Sequence, residues 1–217
     1  MTTFYFVRHG QTEWNLERRF QGGFGDSPLL PASYDDMHSV AKYLQDVNFD
    51  HFFASPLPRA RRTAETIVND LDQNKPFSLR SNLLEVGLGK WEGESIAQVE
   101  KDYPKEYDQY RNHLEDFEGE GFDGEGYTLA AARFQRFAKE TSQAYPDGNI
   151  LVVAHGLILA FGLNALLQTP RTEIRQRGGL SNTSTTILTT KDGQNYQVKD
   201  WNVTSYLNKK QDATTTI

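Results

Sequence analysis

Short apolar runs and amphipathic stretches alternate along most of the chain. Three apolar runs have the length of buried strands, at residues 4–7, 49–54 and 149–154, and a fourth strand is predicted to end at 83–86. Four longer stretches are predicted as helices, at residues 33–47, 58–71, 127–145 and 157–167. This alternation predicts an α/β fold: a three-layer sandwich with a mostly parallel central sheet and helices on both faces.

The C-terminal part has the pattern of a hairpin. Residues 184–190 and 196–203 are predicted as strands, joined at residues 191–194 by a turn that contains Asp-Gly. We therefore expect an antiparallel hairpin at the C-terminal end of the sheet. The polar residues 208–217 show no periodicity and are predicted to be a disordered tail. A single domain is expected over residues 1–207.

Residues 92–126 are the least regular part of the chain. Residues 95–110 predict one or two short helices, whereas residues 113–126 contain six acidic residues and four glycines. Such a segment is either a lid or a solvated surface loop, and we expect it to be partly disordered in the position of a lid. We therefore describe residues 92–126 as a lid-like insertion.

Composition and charge narrow the possible functions. The net charge is −6, whereas a nucleic-acid-binding protein is more often basic. The absence of cysteine excludes disulfides, thiolate metal sites and a cysteine nucleophile. There is no apolar run of 18 residues and no secretory signal, which fits a cytoplasmic protein without a membrane partner. We expect a monomer or a homodimer that binds a small anionic molecule in a local basic pocket.

Chemically active side chains follow the predicted strands. Arg8, His9, Arg59, Glu85 and His155 each lie at a strand end or a helix start. Because parallel strands end at one edge of a sheet, these residues are predicted to meet there. A guanidinium repels a metal cation but matches a phosphate or carboxylate group, so the pattern predicts an anion site.

Some of these residues also have a simpler interpretation. His9 would only cap a turn, and Glu85 would be an ordinary exposed glutamate. For Arg61 and Arg62, which follow Arg59 on other faces of the helix, solvated arginines are the preferred interpretation. The coincidence of the other residues at one predicted edge argues against the simpler interpretation for them.

The sequence resembles the histidine phosphatase superfamily, also called phosphoglycerate mutase-like, over nearly the whole chain. The matching motifs are Arg8–Glu13, Asn15, Gln21-Gly22, Asp26–Leu29, Ser55–Ala60, Thr63-Ala64, Glu85 and His155-Gly156. The resemblance implies that His9 is a phosphorylated nucleophile and that Glu85 donates and accepts the proton. It further implies phosphate-binding roles for the residues Arg8, Asn15, Gln21, Gly22, Arg59, His155 and Gly156. We expect His155 to be protonated, so that it stabilises the charge of the transferring group.

The resemblance implies a metal-independent phosphomonoester hydrolase that needs no cofactor. The alternatives are a phosphoglycerate mutase and a non-enzymatic phospho-ligand-binding protein. A mutase would carry a tyrosine where Leu88 stands and a pair of arginines after Glu85, and the chain has neither. The acidic residues 113–126 are expected to repel polyanions if they close over the site, and nearby aromatic residues would suit an apolar leaving group.

Overall fold

One six-stranded sheet organises the protein. The computed structural model describes residues 1–208, so the predicted tail lies outside the described residues except for residue 208. The strands are β1 (Thr2–Arg8), β2 (His51–Ala54), β3 (Phe77–Leu79), β4 (Asn149–Ala154), β5 (Thr185–Thr190) and β6 (Tyr196–Val203). Their order across the sheet is β3-β2-β4-β1-β5-β6.

Helices cover both faces of this sheet. The α-helices are α1 (Glu13–Leu16), α2 (Ala32–Leu44), α3 (Pro58–Leu71), α4 (Ile96–Asp102), α5 (Pro104–Asn112), α6 (Tyr127–Ala144) and α7 (Gly156–Leu166). Short 3₁₀ turns occur at Ser81–Leu83, Gly89–Trp91, Leu114–Asp116 and Arg171–Arg177. Within residues 1–208, no helix combines the length and apolar character needed to cross a membrane.

The strand directions confirm the predicted fold class. Strands β1, β2, β3 and β4 are parallel to their neighbours in this set, whereas β5 is antiparallel to both β1 and β6. The mostly parallel sheet and the C-terminal antiparallel hairpin are therefore both present. The two helices predicted within residues 95–110 are α4 and α5.

The core has two layers because successive side chains of a strand point to opposite faces. In β1, Phe4 and Phe6 pack with α6 and α7 on one face, where Phe134 and Phe161 are also buried. Val7, on the other face, packs with residues of α2 and α3. A strand buried on both faces reads as a continuous apolar run, which is why β1 and β4 could be predicted from the sequence.

The prediction of a strand at residues 83–86 is wrong. The strand in this region is the short β3, and residues 84–88 belong to no helix or strand. The carbonyl groups of Asn82, Leu84 and Glu85 accept hydrogen bonds from the side chain of Arg133 instead of from a neighbouring strand. A side chain thus provides the backbone partners that a sheet would otherwise supply.

The acidic segment at residues 113–126 is anchored more firmly than its composition suggests. Leu114, Phe117 and Phe122 are buried in the core, and the ring of Phe122 stacks on Trp91 with a centroid distance of 4.2 Å. The expected partial disorder does not describe these three residues. The role of the segment as a closing lid stays a prediction.

Candidate active site

The predicted site residues come together where β1, β2 and β4 end. Arg8 pairs with Ala154 across the β1–β4 ladder, and the His9 N–H donates to the Ala154 carbonyl at 2.9 Å. On the other side of β4, the Ser55 N–H donates to the Val153 carbonyl at 3.0 Å. These backbone bonds bring the residues that follow the three strands to one edge of the sheet, as predicted.

Hydrogen bonds fix the peptide bond that follows His9. Asn182 Nδ2 donates to the His9 carbonyl at 2.9 Å, and the Gly10 N–H donates to Thr63 Oγ1 at 3.0 Å. Gly10 lacks a Cβ for a packing reason, because a Cβ there would lie 2.5 Å from Met37 Cε and 3.0 Å from Ser33 Cβ. The glycine therefore lets α2 approach the loop that carries His9.

The imidazole of His9 has a defined tautomer. Its Nδ1 lies 2.7 Å from the Gly10 carbonyl oxygen, which can only accept, so Nδ1 carries the proton and donates it. The lone pair is then on Nε2. Burial lowers the pKa of His9 well below its ordinary value, and the charges of Arg59 and Arg8 lower it further. His9 is therefore a neutral imidazole near pH 7, with its lone pair on Nε2.

His155 lies beside His9, with 5.1 Å between the ring centroids. Its Nε2 is 2.7 Å from Ser55 Oγ, and its buried Nδ1 has no hydrogen-bond partner among the described residues. Burial, followed by the charge of Arg59, lowers the pKa of His155 well below its ordinary value. The lowered pKa acts against the expected protonation of His155, which stays a prediction. A neutral ring that accepts from Ser55 at Nε2 would present Nδ1–H to an anion.

Arg59 is buried with one edge of its guanidinium already bound. Nη1 donates to the Gly25 carbonyl at 2.9 Å and to Asp26 Oδ1 at 2.8 Å, and Nη2 donates to the Gly22 carbonyl at 2.9 Å. In residues 1–208, Nε has no hydrogen-bond partner. The Nε edge is therefore the part of the Arg59 guanidinium that remains available to a phosphate oxygen.

Arg8 is held at the end of β1. Its Nη1 donates to the Leu180 carbonyl at 2.7 Å. Burial lowers the pKa of Arg8 to about 10, against the opposite effect of the Glu85 charge. Arg8 is still a cation at neutral pH, so it contributes positive charge beside His9.

Glu85 lies at the N-terminal end of α7. Oε1 accepts from the Val86 and Ile158 N–H groups at 2.9 and 2.7 Å, and Oε2 accepts from the Leu157 N–H at 3.0 Å. Burial raises the pKa of Glu85 above its ordinary value, although these three N–H groups and Arg59 act in the opposite direction. Because Oε2 accepts only one of these bonds, it has room for a proton.

Asn15 and Gln21 belong to a polar network that also includes Thr12 and Ser27. Asn15 Oδ1 accepts from the Thr12 N–H at 3.1 Å, and Gln21 Oε1 accepts from Thr12 Oγ1 at 2.8 Å. Gln21 Nε2 donates to Ser27 Oγ at 3.2 Å. Since Oδ1 of Asn15 is already occupied, its Nδ2 is the group available for a ligand.

A cavity of about 350 Å³ opens at this edge. Five of the predicted site residues line it: Arg8, His9, Asn15, Gln21 and Glu85. The other four, Gly22, Arg59, His155 and Gly156, do not line it. The Gly22 carbonyl binds Arg59, and Gly156 begins the helix whose first turn holds Glu85.

Sequence reasoning missed much of the cavity wall. The additional lining residues are Arg18, Arg19, Phe20, Leu88, Ile96, Tyr107, Tyr110, Arg111 and Leu157. The acidic residues of 113–126 do not line the cavity. The lining residues therefore do not support the expected repulsion of polyanions. A helix that contains Tyr107, Tyr110 and Arg111 could be predicted from the sequence. Which face of that helix lines the cavity could not.

The family follows from a comparison with known sequences. The model of the histidine phosphatase superfamily (branch 1) matches residues 4–204. The chain belongs to the histidine phosphatase superfamily. The match includes every strand described above except the first two residues of β1, and it reaches Thr204, just after β6.

Relatives within the histidine phosphatase superfamily support a phosphatase. PhoE of Bacillus subtilis (strain 168), described as an uncharacterized phosphatase, is 30% identical over 214 residues, which cover 95% of this chain and 97% of PhoE. The probable phosphoglycerate mutase GpmB of Escherichia coli is 31% identical over 172 residues, 78% of this chain and 77% of GpmB. The solved structure of Bacillus stearothermophilus YhfR has a TM-score of 0.87 at 28% identity and covers 95% of this chain and 99% of YhfR.

Proposed function

We propose that this phosphatase hydrolyses phosphomonoesters through a phosphohistidine at His9, without a metal ion or other cofactor. The observation that carries the proposal is the tautomer of His9, whose Nδ1 proton is held by the Gly10 carbonyl. A buried neutral imidazole with a free Nε2 is a nucleophile, and Glu85, a carboxyl group with a raised pKa, lines the same cavity. The proposed substrate is a small phosphorylated metabolite in the cytoplasm.

In the first half-reaction, His9 Nε2 attacks phosphorus. The new P–N bond forms as the bond between phosphorus and the leaving-group oxygen breaks, and that oxygen takes the proton from Glu85. The transferring group spreads negative charge over its equatorial oxygens. The Arg59 Nε edge, the Arg8 guanidinium and His155 Nδ1 are the groups proposed to stabilise that charge.

In the second half-reaction, the same groups act in reverse order. The Glu85 carboxylate accepts a proton from water as the water oxygen attacks phosphorus. The P–N bond breaks, its electron pair returns to Nε2, and inorganic phosphate leaves. His9 is neutral and Glu85 is protonated again, so one phosphomonoester and one water give one alcohol and one phosphate.

The charges around His9 support a metal-independent reaction. Arg8 and Arg59 both lower the pKa of the His9 imidazole, so their positive charges act at the position of the nucleophile. Two guanidiniums repel a divalent cation and themselves supply the positive charge that a metal would bring. The residues already present are therefore sufficient for the proposed charge stabilisation.

The walls of the cavity support a small substrate with an apolar portion. A volume of about 350 Å³ is at the small end of the range for ligand pockets. Phe20, Leu88, Ile96, Tyr107 and Tyr110 form its apolar surface. An aromatic or branched leaving group would pack there while its phosphate lies beside His9.

A second candidate function is a phosphoglycerate mutase, the activity in the name of GpmB. The observation that favours it is the presence of Arg18 and Arg111 at the cavity. Arg19 is engaged by Glu17 and the Gly93 carbonyl, but Arg18 and Arg111 have no ion pair within residues 1–208. These two arginines would bind a second anionic group on a substrate.

The two candidates are separated by assays on one preparation. After treatment with EDTA, phosphate release from p-nitrophenyl phosphate and from a panel of phosphorylated metabolites is compared with conversion of 3-phosphoglycerate to 2-phosphoglycerate. The mutase assay is run with and without 2,3-bisphosphoglycerate. We expect phosphate release to survive EDTA and to exceed mutase turnover. Loss of release with EDTA would contradict metal independence, and faster mutase turnover would favour the second candidate.

A further inference from the structure

The loop that carries Glu85 is fastened by a side chain from α6. Residues 84–88 belong to no helix or strand, so their backbone groups need partners elsewhere. Arg133 Nη1 donates to the carbonyls of Asn82 and Leu84 at 2.8 and 2.7 Å. Arg133 Nη2 donates to the Glu85 carbonyl at 3.2 Å. The guanidinium therefore holds the chain immediately before and at the proposed acid.

Glu125 fastens the other side of this loop. Its carboxylate binds Arg133 in a bidentate pair, with Nε–Oε1 at 2.7 Å and Nη2–Oε2 at 2.8 Å. Oε2 also accepts from the Gly87 N–H at 3.3 Å, and the Glu125 N–H donates to the Gly87 carbonyl at 2.6 Å. Arg133 thus makes five hydrogen bonds, as many as a guanidinium has N–H groups.

We propose that Arg133 and Glu125 are positioning residues for Glu85. Neither lines the cavity, so neither is placed to touch a substrate there. Their contacts run to residues 82, 84, 85 and 87, on both sides of the proposed acid. The inference rests on the proposed role of Glu85 as general acid and base, and it gives the acidic segment 113–126 a function that its composition does not reveal.

The physical reason is the precision that proton transfer requires. The Glu85 carboxylate reaches the N–H groups of Leu157 and Ile158 on α7 only if its own backbone stays in place. A displacement of about 1 Å at a reacting group can lower a rate by about 10²-fold. Loss of Arg133 would free three carbonyl groups of an irregular loop at once and allow such a displacement.

The test is the dependence of activity on the leaving group. Arg133→Met and Glu125→Gln are compared with the unaltered protein on an alkyl phosphate and on p-nitrophenyl phosphate, whose leaving group needs little protonation. We expect kcat/KM for the alkyl phosphate, which reports the first half-reaction, to fall by about 10²-fold, with a much smaller loss on the nitrophenyl ester. Arg133→Lys should restore little, because an ammonium group lacks the planar fork.

The matched control is Arg136→Met, an exposed arginine on the same helix. It should leave both activities unchanged. The variant Glu85→Gln and the double variant Glu85→Gln/Arg133→Met complete the set. If Arg133 acts through Glu85, the double variant is no slower on the alkyl phosphate than Glu85→Gln alone.

The outcomes separate this inference from the proposed function. Equal losses on the two substrates in the Arg133 and Glu125 variants, or additive losses in the double variant, would overturn the positioning role and leave the acid assignment intact. If Glu85→Gln itself shows no dependence on the leaving group, the proposed acid is wrong, whatever Arg133 does. Should Arg133→Met fail to fold, Glu125→Gln, which keeps an acceptor oxygen, decides the question.

Discussion

At the scale of the residue, Glu85 is subject to opposing influences. The N–H groups of Val86, Leu157 and Ile158 stabilise its carboxylate form, whereas burial favours the neutral form and prevails, so that its pKa is raised. A carboxyl group in this balance can release a proton to a leaving group and then recover one from water. Its environment, rather than its identity as a glutamate, makes it suited to both steps.

Replacing Glu85 by glutamine should affect substrates unequally. The variant keeps a similar shape but cannot give a proton to an alkoxide, so kcat/KM for an alkyl phosphate should fall by about 10²–10⁴-fold. The loss for p-nitrophenyl phosphate should be far smaller, because nitrophenolate leaves without protonation. Steady-state kinetics on both substrates check this prediction, and equal losses would remove Glu85 from the role of general acid.

The pH dependence of kcat/KM should be bell-shaped. His9 must be neutral, so activity falls as the pH drops through its lowered pKa; Glu85 must be protonated, so activity falls as the pH rises through its raised pKa. The lowered pKa of His9 moves the acidic limb to lower pH, and the raised pKa of Glu85 moves the alkaline limb to higher pH. The optimum is therefore expected on the acidic side of neutral. A profile for the alkyl phosphate that keeps its alkaline limb in Glu85→Gln would contradict the assignment.

At the scale of the element, the sequence predicted the parts of the fold whose pattern is local. β1 and β4 are continuous apolar runs, and the helix starts after Ser55 and His155 follow directly from strand ends. The prediction of a strand at 83–86 was wrong because the backbone carbonyls of this segment accept hydrogen bonds from Arg133, which lies 48–51 residues away in sequence. No pattern within the segment reveals such a partner.

The same limit applies to the site. His9, Arg59 and His155 could be placed from motifs at strand and helix ends, because topology brings those ends together. The helix α5 was predictable too, but the sequence could not show that Tyr107, Tyr110 and Arg111 face the cavity. Side-chain placement of this kind depends on tertiary packing, here on the contacts of Tyr110 with Phe20 and Trp91.

Arg18 and Arg111 should select for a second anionic group. Replacing either by methionine removes a cation that faces the cavity, so KM for a phosphorylated carboxylic acid should rise by about 10-fold or more, as expected for loss of a charge-assisted hydrogen bond. KM for p-nitrophenyl phosphate should change little. Arg61→Met, an exposed arginine paired with Glu65 on α3, is the control. An equal change for both substrates would contradict this role.

At the scale of the whole molecule, three buried histidines make stability depend on pH. The pKa values of His9, His51 and His155 are lowered, with burial as the main cause. The unfolded chain binds protons at these side chains near pH 6.5, whereas the folded protein binds them only at lower pH, so the free energy of unfolding falls as the pH drops below about 6.5. The raised pKa of Glu85 has the opposite effect on the free energy of unfolding, because the folded protein holds this proton more tightly than the unfolded chain. It offsets up to one of the protons taken up by the histidines.

The net effect should be a loss of up to about 3 kcal/mol per pH unit, the slope that corresponds to about two protons. Urea unfolding at several pH values between 7 and 5 measures this slope. His51→Gln should make this slope shallower, because it removes one of the three buried histidines. His51 contacts Ser78 and Tyr145, far from the proposed catalytic residues. A stability that does not fall over this range, or an unchanged slope in the variant, would contradict the account.

The formation of phospho-His9 is the central claim. Rapid quench of the protein with a substrate labelled in its phosphate group should trap one covalent phosphate that is labile in acid and stable in base, and peptide mapping should place it on His9. His9→Ala should trap no label. Label found on another residue, or label that persists in His9→Ala, would contradict the proposed mechanism.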